Sequence, residues 1–257
     1  MTVSPCLLEV QRLAAGYGRV PVVRDVTFAL PAGAAVGLVG HNGAGKTTLF
    51  RALVGQLPAL AGSIALRDPD GRTVDVTALP LSARARLGLG YLPQRPALLW
   101  DLSTRDNLVA ALRAPAAAAA ARWAGAAPSD LVDRTLARVG LADAAAQPAA
   151  QLSGGQIKRL SIARLLVMRS RLWLCDEPFA GLDAESVEIA LELLIDAVRD
   201  GVAMLITEHR VDLLGRLVQS TLRVEDGQLL PSLAPADRPS ARSTSIAPAM
   251  DLSPVER

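Results

Sequence analysis

The sequence predicts an α/β fold in which a mostly parallel sheet is preceded by an antiparallel β-subdomain and interrupted by an inserted α-helical subdomain. Three observations predict it. A glycine-rich stretch, Gly40 to Thr47, separates the apolar, strand-like run Ala35-Val36-Gly37-Leu38-Val39 from the helix-like run Thr48 to Val54, the strand–loop–helix order of a doubly wound sheet. A second apolar run, Leu172 to Cys175, ends on the adjacent acids Asp176 and Glu177, as a buried parallel strand with ligand-facing residues at its C-terminal edge would. Between the two, helical periodicity replaces strand alternation.

Taken in order, Leu7 to Leu13 and Val22 to Leu30 alternate as antiparallel strands, with breaks at Gly16-Tyr17-Gly18 and Pro31-Ala32-Gly33. Gly55 closes the helix that follows the glycine-rich loop. Gly62 to Leu66 and Arg72 to Val76 flank the turn signal Asp68-Pro69-Asp70-Gly71. After a short strand at Gly90-Tyr91-Leu92-Pro93, the segments Thr104 to Leu112, Ser129 to Val139 and Ser153 to Met168 read as the helices of the insertion. The alanine-rich stretch Ala114 to Ala127, broken by Pro115, fits either a helix extension or a loose loop. Asp183 is placed to cap a helix from Ala184 to Arg199, and Val202 to Thr207 reads as a strand. One domain is expected over residues 5–230, its helical subdomain at about 95–170. Residues 231–257 are rich in Pro, Ser and Ala and are expected to be a disordered tail.

At 257 residues the chain can bury a sizeable core. Its net charge of +2 comes without any Lys/Arg block, which argues against a nucleic-acid partner. The two cysteines, Cys6 and Cys175, lie far apart, which disfavours a disulfide framework and fits a reducing cytosol. No apolar run approaches the ~20 residues that span a bilayer, and no charged region leads into a signal-like core at the N-terminus.

The stretch Gly40-His41-Asn42-Gly43-Ala44-Gly45-Lys46-Thr47 fits the phosphate-loop spacing G-x-x-x-x-G-K-[ST] of P-loop NTPases in full. Its glycines let the backbone curl so that N–H groups converge on phosphate oxygens. Lys46 can reach the β/γ oxygens, and the Thr47 hydroxyl can ligate Mg²⁺. At the second strand end, Asp176 is suited to hold Mg²⁺ through water, and Glu177 to polarise a water that attacks the γ-phosphate. Leu152-Ser153-Gly154-Gly155-Gln156 opens a basic helix, presenting backbone N–H groups and a helix dipole suited to an anion.

In this order the motifs resemble the ATP-binding cassette (ABC) family, the ATPase subunits of ABC transporters, over roughly Leu7 to Leu230. The resemblance implies ATP and Mg²⁺ as ligands, with Gly40, His41, Asn42, Gly43, Ala44, Gly45, Lys46, Thr47 and Thr48 at the nucleotide and His41 contributing chiefly backbone. It implies an adenine-stacking role for Tyr17, for which a packed core tyrosine is the plain alternative. It further implies Glu177, His209 and Gln94 as catalytic residues, with Thr47, Gln94 and Asp176 at the metal. Asp183 matches a loop that crosses between paired subunits, and Ser153, Gly154, Gly155 and Gln156 match a signature that faces the nucleotide of the opposite subunit.

A homodimer, or a heterodimer with a second cassette, is therefore implied. So are integral-membrane permease subunits docking near Gln94 to Leu108, where Trp100 is a candidate anchor. The chain is then expected in the cytoplasm, peripheral on the inner face of the membrane. An extracytoplasmic solute-binding protein would complete an importer. Leu7 to Val20, Gly40 to Thr48 and Asp75 to Pro80 are similar to the ATPases of branched-chain amino-acid importers, which is the expected subclass. Asp176 to Asp183, Ser186-Val187 and the segment around Thr207-Glu208-His209 are instead similar to the lipopolysaccharide-export ATPase. A cofactor-assembly ATPase is the non-transport alternative, whereas a long coiled coil of the DNA-repair type has no room between Lys46 and Ser153.

Overall fold

The computed structural model describes residues 6–113 and 128–230. In chain order, β1 (Cys6–Tyr17) and β2 (Val20–Pro31) form a long hairpin, followed by β3 (Ala35–Val39) and α1 (Lys46–Val54). Next come β4 (Ala59–Arg67), β5 (Thr73–Asp75), α2 (Leu81–Arg86) and β6 (Leu89–Leu92). The helices α3 (Thr104–Arg113), α4 (Pro128–Arg138) and α5 (Gly154–Val167) precede β7 (Leu172–Asp176) and α6 (Ala184–Arg199). The chain then forms β8 (Ala203–Thr207), α7 (Val211–Leu217), β9 (Ser220–Glu225) and β10 (Gln228–Leu230). The short helices α2 and α7 were not expected from the sequence; at six and seven residues they are too brief to display a helical period.

Two sheets result. One is antiparallel, in the order β2-β1-β4-β5. The other runs β10-β9-β3-β8-β7-β6, parallel throughout except for β10 against β9. The central strands β7 and β8 are buried along their whole length, which is why they read as continuous apolar runs. Their alternate side chains enter different cores. Leu172, Leu174, Ala203 and Leu205 pack with α1 and the antiparallel sheet. Trp173, Cys175, Met204 and Ile206 pack with the helices α5 and α6. Burial pushes the Cys175 thiol up to about 12, leaving it an unreactive core group.

The expected β-subdomain, parallel sheet and helical segments are all present, with β1 carried on to Tyr17 instead of ending at Leu13. Ala184–Arg199 is helical with Asp183 accepting from the Ser186 N–H. The segment Leu217-Val218-Gln219-Ser220 anchors the first parallel strand: Gln219 accepts from the Ala35 N–H through Oε1 at 2.6 Å and donates its own N–H to the Ala35 carbonyl at 3.0 Å. Among the described residues, no helix is long and apolar enough to cross a membrane. The stretch Ala114 to Ala127 and the tail 231–257 lie outside the described residues.

The C-terminus of α1 is closed twice. Gly55, at φ 80°, turns its N–H onto the Ala52 carbonyl. Arg84, 1% exposed, donates to the carbonyls of Ala52 (2.7 Å), Leu53 (2.6 Å), Leu79 (2.8 Å) and Thr77 (3.0 Å). Burial pushes its pKa down to about 10, still charged at neutral pH. Arg84→Met should remove this donor from all four carbonyls, leaving Ala52 with the Gly55 N–H, and cost about 2–3 kcal/mol of stability in urea unfolding; an unchanged midpoint would show that the carbonyls find other partners.

Candidate functional site

The glycine-rich loop joins β3 to α1 and is shaped by close approach. A side chain at position 40 would put Cβ 2.3 Å from the Val224 carbonyl, and Gly45 caps α1 at φ 105°, a conformation costly for any residue with a Cβ. Among the described residues, the amide N–H groups of Asn42, Gly43, Gly45, Lys46, Thr47 and Thr48 donate no hydrogen bond to the protein. They form a cluster of free donors at the positive end of a helix. The Lys46 ammonium is held over its own loop by the Gly40 (2.6 Å) and His41 (3.1 Å) carbonyls. Ala44 accepts from the Gly227 N–H at 3.1 Å, so the β9–β10 turn props the loop from behind. The His41 ring turns to the Asn42 carbonyl, 2.8 Å from Nδ1, and its Nε2 lies 3.9 Å from Asp226.

The acids sit one strand pair away. In the β7–β8 register Asp176 lies opposite Thr207, and the Thr207 hydroxyl donates to Asp176 Oδ1 at 2.7 Å. The same hydroxyl accepts from the Glu177 N–H at 3.0 Å, which is shared with the Thr207 carbonyl at 3.1 Å. Glu177 has φ 45°, a strained conformation for a non-glycine residue that persists only where surrounding bonds hold it. Burial raises the Asp176 carboxyl above the usual range; the Thr207 hydroxyl opposes that rise and the Glu177 charge adds to it.

Glu177 is gripped from both sides. Gln94 Nε2 donates to Oε2 at 2.8 Å, and His209 Nε2 lies 3.0 Å from Oε1. A carboxylate only accepts, so this contact selects the Nε2–H tautomer of His209. Glu208 holds the backbone of that segment by accepting from the N–H groups of His209 (2.7 Å) and Arg210 (3.2 Å). Its Oε2 is buried and unpartnered among the described residues. The buried Lys158 of α5 faces the Cys175, Glu208 and Asp176 groups, while burial lowers its own pKa.

Tyr17 ends β1 half exposed, and Arg51 of α1 donates to its hydroxyl at 2.8 Å. The signature residues open a helix that packs in the other core. Ser153 and Gln156 close a reciprocal capping box at the start of α5, with Gln156 N–H to Ser153 Oγ at 3.3 Å and Ser153 N–H to Gln156 Oε1 at 2.9 Å. Gly155 abuts Ser186, whose Oγ a Cβ at 155 would meet at 2.1 Å, and Ser186 in turn donates to Asp183. The structure thus brings Gln94, Asp176, Glu177 and His209 into one cluster, ties Tyr17 to the loop helix, and gathers Ser153 to Gln156 with Asp183 elsewhere. Among the described residues, no hydrogen bond or ion pair joins 40–48 to 153–156. Thr207, Arg51 and Glu208 were missed from the sequence; an apolar strand ending in a hydroxyl beside an acid was the available sign of Thr207.

The donor set suits a hard dication. Asp176 Oδ2 and the Thr47 hydroxyl are oxygens without a protein hydrogen bond among the described residues. No group of three or more His, Cys, Asp or Glu among those residues could hold a metal by itself, so such an ion would draw its other ligands from phosphate and water.

The ABC transporter family model matches residues 23–180. The chain is 37% identical over 231 residues to the lipopolysaccharide export system ATP-binding protein LptB of Acidithiobacillus ferridurans, covering 90% of this chain and 91% of that protein. It is 38% identical over the same length, with the same coverage, to LptB of Escherichia coli (strain K12). A solved structure described as the ATP-binding subunit of an ABC transporter superposes with a TM-score of 0.75 at 26% identity, covering 89% of this chain and 90% of the other.

Thr207→Val removes the hydroxyl that joins the two acids while keeping the strand packed. ATP hydrolysis should fall about 10–100-fold, as for loss of an orienting partner, with ATP affinity retained. Phosphate release and equilibrium ATP binding measured side by side check this; a wild-type rate would show that Asp176 and Glu177 need no such tie.

Proposed function

The chain belongs to the ABC transporter ATPase family, and on that premise we propose that it hydrolyses ATP as one of two paired cassettes that drive a separate membrane permease. The observation that carries the mechanism is the grip of Gln94 and His209 on Glu177. In this reading the free N–H groups of 42–48 and the Lys46 ammonium bind the phosphates, and Tyr17 stacks on adenine. Glu177, held at a fixed angle, accepts a proton from the attacking water. His209 orients Glu177 and meets the γ-phosphate; Gln94 senses both water and permease. Thr47 and Asp176 would hold Mg²⁺, with Gln94 approaching it, and the ion would supply neutralisation of charge on the β- and γ-oxygens.

The pairing is supported by the lack of any hydrogen bond or ion pair between the two groups of site residues among the described residues. The start of α5, where the Gly154 and Gly155 N–H groups donate no hydrogen bond among the described residues, is proposed to complete the site of the partner cassette across the Asp183 loop. Permease docking is proposed at 94–108, where Leu99 (45%), Trp100 (41%) and Leu102 (40%) are exposed. Leu102, Asp106, Val109, Ala110 and Arg113 line a shallow concavity beside them. Attachment there would hold the chain on the cytoplasmic face of the membrane.

For the cargo we propose lipopolysaccharide- or lipid-type export, supported by the 37–38% identity to the LptB proteins and by the likeness of Asp176 to Asp183. Uptake of branched-chain or hydrophobic amino acids, with a solute-binding protein, is the second reading, supported by Leu7 to Val20 and Asp75 to Pro80. Isolation of the tagged chain with its membrane partner separates them, since the two cargo classes require different permeases.

Glu177→Gln should leave ATP binding intact, lower turnover by about 100-fold or more, and accumulate an ATP-bound dimer in size-exclusion chromatography. A variant that hydrolyses at the wild-type rate, or that stays monomeric with ATP, contradicts the mechanism.

A further inference from the structure

We propose that Arg51 is a positioning residue for the adenine platform, holding the ring of Tyr17 in place and thereby setting how strongly the base, as distinct from the phosphates, contributes to affinity. The inference rests on the reading of Tyr17 as the residue that stacks on adenine. Tyr17 is the last residue of β1 and is 50% exposed. Little packing fixes its ring, and ordering such a side chain on binding carries an entropic cost. Arg51 removes part of that cost beforehand, since its Nη1 donates to the Tyr17 hydroxyl at 2.8 Å.

Two features make this contact more than a surface hydrogen bond. Arg51 is on α1, one turn after Thr47 and on the same helical face, so the platform and the phosphate-binding end are tied to one rigid element. The spacing between them is then set by helix geometry, at about 1.5 Å of rise per residue. A cationic donor at the phenol oxygen also draws electron density from the ring, which favours offset stacking on an electron-rich purine. Arg51 makes no ion pair among the described residues, so its guanidinium is not committed to an acid instead.

The test compares affinities for ATP and for inorganic tripolyphosphate, which has the charge and no base, in the full chain without divalent metal. The readout is their ratio, because loss of the Arg51 charge alone weakens both ligands together. Tyr17→Ala should lower the ratio at least about tenfold, in line with stacking energies. Tyr17→Phe keeps the ring and the Arg51 charge but removes the acceptor; it and Arg51→Met should each lower the ratio about 3–10-fold, and the double variant no further than either. If Tyr17→Ala lowers the ratio while Tyr17→Phe and Arg51→Met leave it at the wild-type value, the positioning role is overturned and the platform reading stands. If Tyr17→Ala leaves the ratio unchanged, the platform reading and the inference fall together.

Discussion

One hydroxyl organises the site. Thr207 ends β8 opposite Asp176, and its side chain donates to the Asp176 carboxylate while accepting the Glu177 N–H. The first bond offsets the burial that pushes Asp176 toward its neutral form. The second helps hold Glu177 in a left-handed conformation that two strand-end bonds must keep in place. The parallel register of β7 and β8 is therefore part of the chemistry: a slip of one residue would point Thr207 into the opposite core and free both acids. Gln94 and His209 then close on a carboxylate whose position is already fixed.

Around that point the chain is divided between two faces. The core shared by α1 and the antiparallel sheet carries the glycine-rich loop, and α1 is anchored at its far end by Arg84 and Gly55. The core shared by α5 and α6 carries the capping box of Ser153 and the Asp183 cap. Both helices of this second core begin with polar caps at the same end, where Gly155 and Ser186 meet. Because β7 and β8 send alternate residues into each core, both faces pack on the strands that end on Asp176 and Thr207.

Legibility followed physical signal strength. Ala35–Val39 and Ala184–Arg199 were readable to the residue, the first as an uninterrupted apolar run ahead of a glycine loop and the second as a capped, periodic helix. The phosphate loop and the paired acids were readable because their residue types have few other uses at that spacing. The grip on Glu177 was not derivable from spacing, since Gln94 and His209 lie 83 and 32 residues away in sequence; resemblance supplied those residues, and the fold supplies their geometry. Thr207, Arg51 and Glu208 act through contacts that no local pattern encodes. The helix Val211–Leu217 went unread because seven residues give two turns at most and its apolar face is short.

We propose that each catalytic unit is assembled from the loop of one chain and the Ser153 end of another. Mixing two variants checks this: Lys46→Ala, which disables the loop, and Ser153→Arg, which blocks the helix end. Each should be nearly inactive alone, and mixed they should regain hydrolysis, because the mixed dimer contains one site with both parts intact. If the mixture stays as inactive as its components under conditions where mixed dimers form, or if Ser153→Arg alone hydrolyses ATP at the wild-type rate, the two-chain account is contradicted.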